Sequence, residues 1–305
     1  MAAAPGRRRP ARRFAELADR LWRRREAAGG IDACMAFYGD CFLRPGQMGA
    51  DPGQLTSAQQ VFAEQLARAW LQRAAATAPD AFDRREAQRE LRGAVGEAQG
   101  TGAAVRTAVA GLARLRWFAP LGMAMAERFI KRALTQVTRY FTDERVREHA
   151  LGQVAKLVGA ETKVLLGHSL GSVVAYEAAH HLDRPLPLLV TLGSPLGLRT
   201  IVYERLRPQP PRFPPAVCRW VNLAGRDDVI AAAPDLTALF GPTCPAAARL
   251  EGGWTVDTGR PTPRRRLLPH QTGDRPAHRP NPSQGSLTLQ DPRARVTGCV
   301  SCAHG

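Results

Sequence analysis

The sequence predicts an α/β domain: a mostly parallel sheet flanked by helices, with a helical insertion ahead of the second strand. Three observations carry this. Short apolar runs at residues 164–166, 188–192 and 218–223 each end in glycine-containing turns, as buried strands do. Helical spacing fills the chain between the first of these and the second. The composition, 44% hydrophobic over 305 residues, suffices for a sizeable core. Strands alternating with helices imply right-handed crossovers and hence a parallel sheet.

The elements read in order as follows. Residues 13–25 place Phe14, Leu17, Leu21 and Trp22 on one face of an amphipathic helix. Residues 31–38 alternate enough to be a strand, closed by Gly39-Asp40. Ser57 is positioned to cap a helix over 58–75, and 81–140 stay helical, with breaks at 93–102 and at Pro120. In the apolar stretch 115–130, Trp117, Phe118, Met123, Met125 and Phe129 fit either a cap lining a hydrophobic pocket or, preferred here, ordinary helix packing. Asp143 can cap a helix over 144–158. The strand and helix at 163–182 follow, then strands at 188–192 and 218–223 and a weaker one at 249–256.

Charge divides the chain into three. Residues 1–30 hold nine Arg against three acids, and residues 258–305 hold eight Arg against two Asp. Six net charges at each end of a +16 chain leave about +4 on residues 31–257, modest for a domain of that size. The basic residues include only three Lys (131, 156 and 163), a skew that reads as high-GC codon usage, not as selection for phosphate binding. No specific nucleic-acid partner is expected. Residues 258–305 lack Phe, Tyr, Trp, Ile, Met, Lys and Glu and contain seven Pro. Such a stretch cannot bury enough apolar surface to fold alone and reads as a disordered tail. Its composition is also what GC-rich DNA gives in another reading frame. The divisions are therefore a basic segment 1–30, a domain 31–257 with its insertion at about 57–140, and the tail 258–305.

No apolar run approaches the ~18 residues of a membrane span, and no secretory h-region follows the basic start. A cytoplasmic protein is expected. Six scattered cysteines (34, 41, 218, 244, 299 and 302) read as buried free thiols and not as a disulfide framework. Cys299, Cys302 and His304 miss the spacing of a haem attachment site and lack the further ligand pair of a zinc site. No metal or cofactor is expected.

The sharpest signal is Gly167-His168-Ser169-Leu170-Gly171, a G-x-S-x-G pattern set between a strand and a helix. A strand turning abruptly into a helix presses its turn against neighbouring backbone, and glycine alone avoids the clash. The turn would expose the Ser169 hydroxyl, with the Leu170 N–H available to a developing oxyanion. A nucleophilic serine needs a base and an acid that orients the base, and in this chain order the acid follows a later strand. Asp227 and Asp228 lie just past the 218–223 strand; Asp228 is preferred, the alternative being a loop carboxylate or helix cap. His270 is the first histidine after it and is the base by order alone, though it, His278 and His304 equally fit exposed imidazoles. His168 should point away from the neighbouring hydroxyl and is read as packing. His149, His180 and His181 fall on helices.

With Thr191-Leu192-Gly193-Ser194-Pro195-Leu196, residues 220–229 and Met35-Ala36-Phe37-Tyr38-Gly39-Asp40, the chain resembles the α/β-hydrolase-fold serine hydrolases of the lipase/esterase kind found in high-GC bacteria. The resemblance covers about three quarters of the chain. It implies Ser169 as nucleophile, Asp228 as triad acid, Leu170 N–H as oxyanion donor, no cofactor, and a small-molecule or lipid-like acyl substrate. Two departures go with it. No His precedes His149, so the strand ending in His-Gly that supplies a second oxyanion donor is absent from the start. The base falls in the Arg/Pro-rich tail. Activity is thus expected to be impaired, and the competing expectations are an inactive acyl-binding protein of the same fold, or an Arg-tailed binder of surfaces or nucleic acid.

Overall fold

The structure, a computed structural model, describes residues 32–42, 55–93, 101–225, 228, 231, 233, 235–256 and 295–300. Of residues 101, 254–256 and 295–300 only the backbone is described. The chain divides into two compact units, and apart from Asp32 the described residues belong to the unit formed by 33–257 and 295–305. The basic 13–25 helix, Asp227, His270, His278, Cys302 and His304 lie outside the described residues.

Six strands form one sheet: β1 (Asp32–Ala36), β2 (Thr162–His168), β3 (Leu188–Leu192), β4 (Arg219–Gly225), β5 (Arg249–Val256) and β6 (Arg295–Val300). Their spatial order is β1-β6-β2-β3-β4-β5. The five from β6 to β5 pair in parallel, so the α/β class and the parallel sheet read from the sequence are present. β3 and β5 have the bounds that the sequence suggests; β3 is an apolar run closed by Gly193, whereas β5 carries Gly252 and Gly253 within it. The six residues of β6 overturn part of the disordered-tail expectation. Arg295-Val296-Thr297-Gly298-Cys299-Val300 is rich in β-branched residues, which suit a pleated strand, and backbone pairing to β2 from Thr162↔Arg295 to His168↔Val300 holds it in the sheet. The arginines and prolines around it hide that signal.

Strand alternation gives the sheet two apolar faces. Val164, Leu188, Val190 and Val221 cluster on one, joined by half-buried Leu166, Leu192 and Leu223. Leu165, Leu189 and Trp220 face the other, which carries the main core. There α6 (Leu170–Ala179), every residue of it buried, packs on β2, β3 and β6.

The insertion is helical as expected: α1 (Ser57–Thr77), α2 (Ala81–Gly93), α3 (Thr101–Ala113) and α4 (Met123–Thr142), with α5 (Glu144–Ala155) leading into β2. The cap of α1 is Thr56, one residue before the predicted Ser57. Thr56 Oγ1 accepts from Gln59 N and Gln59 Oε1 accepts from Thr56 N, a capping box that Thr-x-x-Gln spells out. Phe62, Leu66 and Trp70 recur along one buried stripe of α1. Asp143 caps α5 as expected, accepting from Arg145 N at 3.0 Å. The apolar stretch 115–130 divides. Phe118 is buried, with Trp117 and Phe129 packed around it, whereas Met123 and Met125 are 50% and 55% exposed. Helix packing therefore accounts for the aromatic residues but not for the two methionines.

Candidate active site

The C-terminal ends of β2, β3 and β4 lie side by side, and each carries one piece of the site. Strand order turns at β2, with β6 and β1 on one side and β3 to β5 on the other. In open α/β sheets, crevices at such ends are where ligands bind.

Ser169 is the turn residue between β2 and α6. Its φ of 51° and ψ of −124° make it the one non-glycine residue with positive φ among the described residues. A conformation of this kind costs of order 1–3 kcal/mol and persists only where the surroundings impose it. Those surroundings are visible. Ser169 N donates to Leu192 O at 2.9 Å, tying the turn to β3. Ser172 donates to Ser169 O through both its N, at 3.0 Å, and its Oγ, at 2.5 Å. The buried Ser194 Oγ lies 2.8 Å from Ser172 Oγ and donates to it, since the Ser172 proton is already used, and Ser194 Oγ accepts from Leu196 N. The Gly193-Ser194-Pro195 turn after β3 thus props the elbow from behind.

Gly167 is sterically required: a Cβ there would stand 2.3 Å from Gly171 O and 2.6 Å from Ser172 Cα. Ser169 occupies the N-cap position of α6, yet its side chain makes no capping bond, although serine at this position ordinarily accepts from the first turn. Leu170 opens the helix, so its N–H belongs to the first-turn donors that have no intrahelical acceptor. Hydroxyl and donor therefore leave the same turn.

Asp228 lies beyond β4. Its backbone N–H donates to Gly225 O at 3.2 Å, and its Oδ1 accepts from Ala231 N at 3.1 Å. Oδ2 points toward Gly193, whose φ is 51° and whose own N–H donates to Leu223 O. A Cβ on Gly193 would sit 2.9 Å from Asp228 Oδ2 and 3.6 Å from His168 Nε2. The bare glycine thus makes room for a carboxylate and an imidazole together. His168, read as packing, thus has its Nε2 beside the same glycine as the carboxylate chosen as the triad acid. Chain order had singled out Asp228, but nothing local in the sequence joins it to His168.

A buried polar relay supports the Asp228 loop. Trp220 Nε1 donates to Thr191 Oγ1 at 3.0 Å, Thr191 Oγ1 donates to Asn222 Oδ1 at 2.8 Å, and Asn222 Nδ2 donates to Ala233 O at 3.1 Å. From the insertion, Arg73 on α1 donates through Nε to Ala231 O at 3.2 Å. Burial lowers the Arg73 guanidinium from its ordinary value while the charge of Asp228 acts to raise it. α1 thereby reaches the acid loop, a contact the sequence reading missed because no motif marks Arg73.

His149, His180 and His181 lie on or just after helices, as expected. Among the described residues, Asp40 and Cys41 in the turn after β1 and His149 on α5 form a group that could hold a metal.

No family model matches this chain, nor does any curated protein or any solved structure. Among the described residues no helix is long and apolar enough to cross a membrane.

Proposed function

We propose that this chain is a serine hydrolase of α/β-hydrolase fold, acting on ester or related acyl bonds of a small-molecule or lipid-like substrate. The observation that carries the reading is Ser169: strained at a strand–helix turn, pinned by β3 and by Ser172, and not used to cap its own helix. Strain retained at one serine, with its hydroxyl left out of the capping role, is what a nucleophile elbow requires.

In the proposed reaction Ser169 Oγ attacks the acyl carbon and its proton passes to an imidazole. The tetrahedral oxyanion is held by Leu170 N–H. The leaving alcohol takes the proton from the imidazole, and water then releases the acid by the same steps, restoring the serine. Asp228 orients the imidazole. His270 is the base by chain order. A second oxyanion donor has to come from a neighbouring strand end, and β6, whose Val300 pairs with His168, ends beside the elbow.

A fluorophosphonate probe tests the reading. The chain is expected to form a covalent adduct that Ser169→Ala abolishes. Absence of adduct on the folded wild-type chain would overturn the enzyme reading in favour of an acyl-binding protein of the same fold.

A further inference from the structure

The second feature of chemical interest lies at the end of β1. A 3₁₀ turn over Gly39–Phe42 carries Asp40 and Cys41, and α5 lies against it. His149, midway along α5, brings Nε2 to 3.1 Å from Asp40 Oδ1, and Gln153 Nε2, one helical turn on, lies 3.4 Å from the same nitrogen. Cys41 is half-buried and its thiol donates to Tyr38 O at 2.8 Å. The carboxylate oxygen, the thiol sulfur and the imidazole nitrogen all lie within 4.8 Å of one another.

We propose that Asp40, Cys41 and His149 form a site for a zinc-class divalent cation, with three protein ligands and a fourth position open to water.

Oxygen, sulfur and nitrogen are the donor types that zinc takes, with bonds of about 2.0–2.3 Å. Tetrahedral geometry at those lengths separates donors by roughly 3.5 Å, so donors already within 4.8 Å of one another have a short distance to close on a metal. Charge points the same way. One carboxylate and one thiolate neutralise a divalent ion, and a neutral imidazole completes the set. Asp40 is more than half exposed, 57% for its side chain, which leaves a face for water and an entry path. Softer or harder competitors fit less well: magnesium and calcium prefer oxygen-only sites.

A bound cation takes the Cys41 sulfur as thiolate, so binding releases one proton and gives up the thiol's bond to Tyr38 O. Gln153 would give up its present contact with His149 Nε2. Its link to the molecule is structural: the metal would staple the turn after β1 to the helix that precedes β2.

The test is a cobalt titration of the full chain, followed by zinc competition. Cobalt is expected to give the near-ultraviolet absorption of a thiolate–cobalt bond, and zinc to remove it. Cys41→Ser is expected to abolish the band, whereas Cys218→Ser, at an exposed thiol, leaves it. His149→Ala is expected to weaken affinity by about tenfold or more, at least what loss of an outer-shell partner does. A band that survives Cys41→Ser, or no band at all, overturns the site. Should the variants fail to fold, the wild-type chain still decides: zinc is expected to protect Cys41 from iodoacetamide, read by peptide mass, and equal alkylation with and without zinc overturns the proposal.

Discussion

The Asp228 carboxylate borders the space that a side chain on Gly193 would occupy, across the ends of two strands: a Cβ on Gly193 would lie 2.9 Å from Asp228 Oδ2. Gly193→Ala is therefore expected to do two things. Its left-handed φ of 51° makes alanine cost about 1–2 kcal/mol, read as a lower urea midpoint. Displacing the carboxylate is expected to slow fluorophosphonate labelling of Ser169 by about tenfold, equivalent to 1.4 kcal/mol in the barrier. The decisive measurement is a double-mutant cycle. In an Asp228→Ala background, Gly193→Ala should slow labelling no further, and full additivity would show that the glycine acts without the carboxylate.

Asn222 tests the support beneath the same loop. It is fully buried, accepting from Thr191 Oγ1 and donating to Ala233 O. Asn222→Ala leaves the Thr191 hydroxyl proton and the Ala233 carbonyl without these partners, which costs about 1–3 kcal/mol. The urea midpoint should fall accordingly, and labelling should slow because Asp228 lies between β4 and Ala233 in the chain. A stable variant with wild-type labelling would show that the relay does not position the acid.

What the sequence could and could not show follows from how far apart the parts lie. The Ser169 turn was legible because its elbow is local: two glycines, a strand and a helix between residues 162 and 179. Chain order pointed to Asp228, but its place beside Gly193, near which His168 Nε2 also lies, depends on sheet register and left no sequence trace. β6 was missed because Arg- and Pro-rich composition outweighed a six-residue β-branched run. Met123 and Met125 were grouped with their aromatic neighbours because helical spacing cannot tell a buried stripe from an exposed turn. Substituting each by Gln is expected to change stability by no more than about 0.5 kcal/mol, whereas Phe118→Ala should cost about 3–5 kcal/mol. Asp40 and His149 are 109 residues apart, beyond the reach of any spacing rule.

His180, at the end of α6, gives a pH dependence. Its Nε2 is buried without a hydrogen-bond partner, and the ring packs edge-on against Tyr176 at 4.9 Å. Burial, mainly, lowers its imidazole from 6.5 to about 4. The unfolded chain therefore binds a proton between pH 6.5 and about 4 that the native state refuses. Linkage then requires stability from this group to be full above pH 6.5 and to fall as pH drops toward 4. His180→Phe keeps the ring contact and removes the titration. Its urea midpoint is expected to match or exceed wild type at pH 7 and to decline less between pH 6.5 and 4. Parallel declines in the two proteins would contradict this.

The ion pair between Arg147 and Glu177 carries the opposite sign. Both are buried, 3.0 Å apart, and Glu177 also accepts from Tyr140 Oη at 2.6 Å and from Arg207 N at 3.0 Å. Arg147 Nη2 donates to Arg205 O as well, so the pair ties α4, α5 and α6 to the 205–207 segment. Burial raises the Glu177 carboxyl above its ordinary 4.5, with Arg147 the first of the groups pulling it down. The native state holds this proton more tightly than the unfolded chain does, so stability from Glu177 is greatest below pH 4.5 and is lost as pH rises through the native value. Arg147→Met removes the main compensating charge and should cost about 3–5 kcal/mol at pH 7. Because the stranded carboxylate can take a proton, that loss should shrink as pH falls, steepening the dependence of the urea midpoint. Adding Glu177→Gln removes the buried charge altogether. The double variant is expected to recover most of the lost stability and to lose the steep pH dependence, since the amide oxygen can still accept from Arg207 N and the amide nitrogen can donate to Tyr140 Oη.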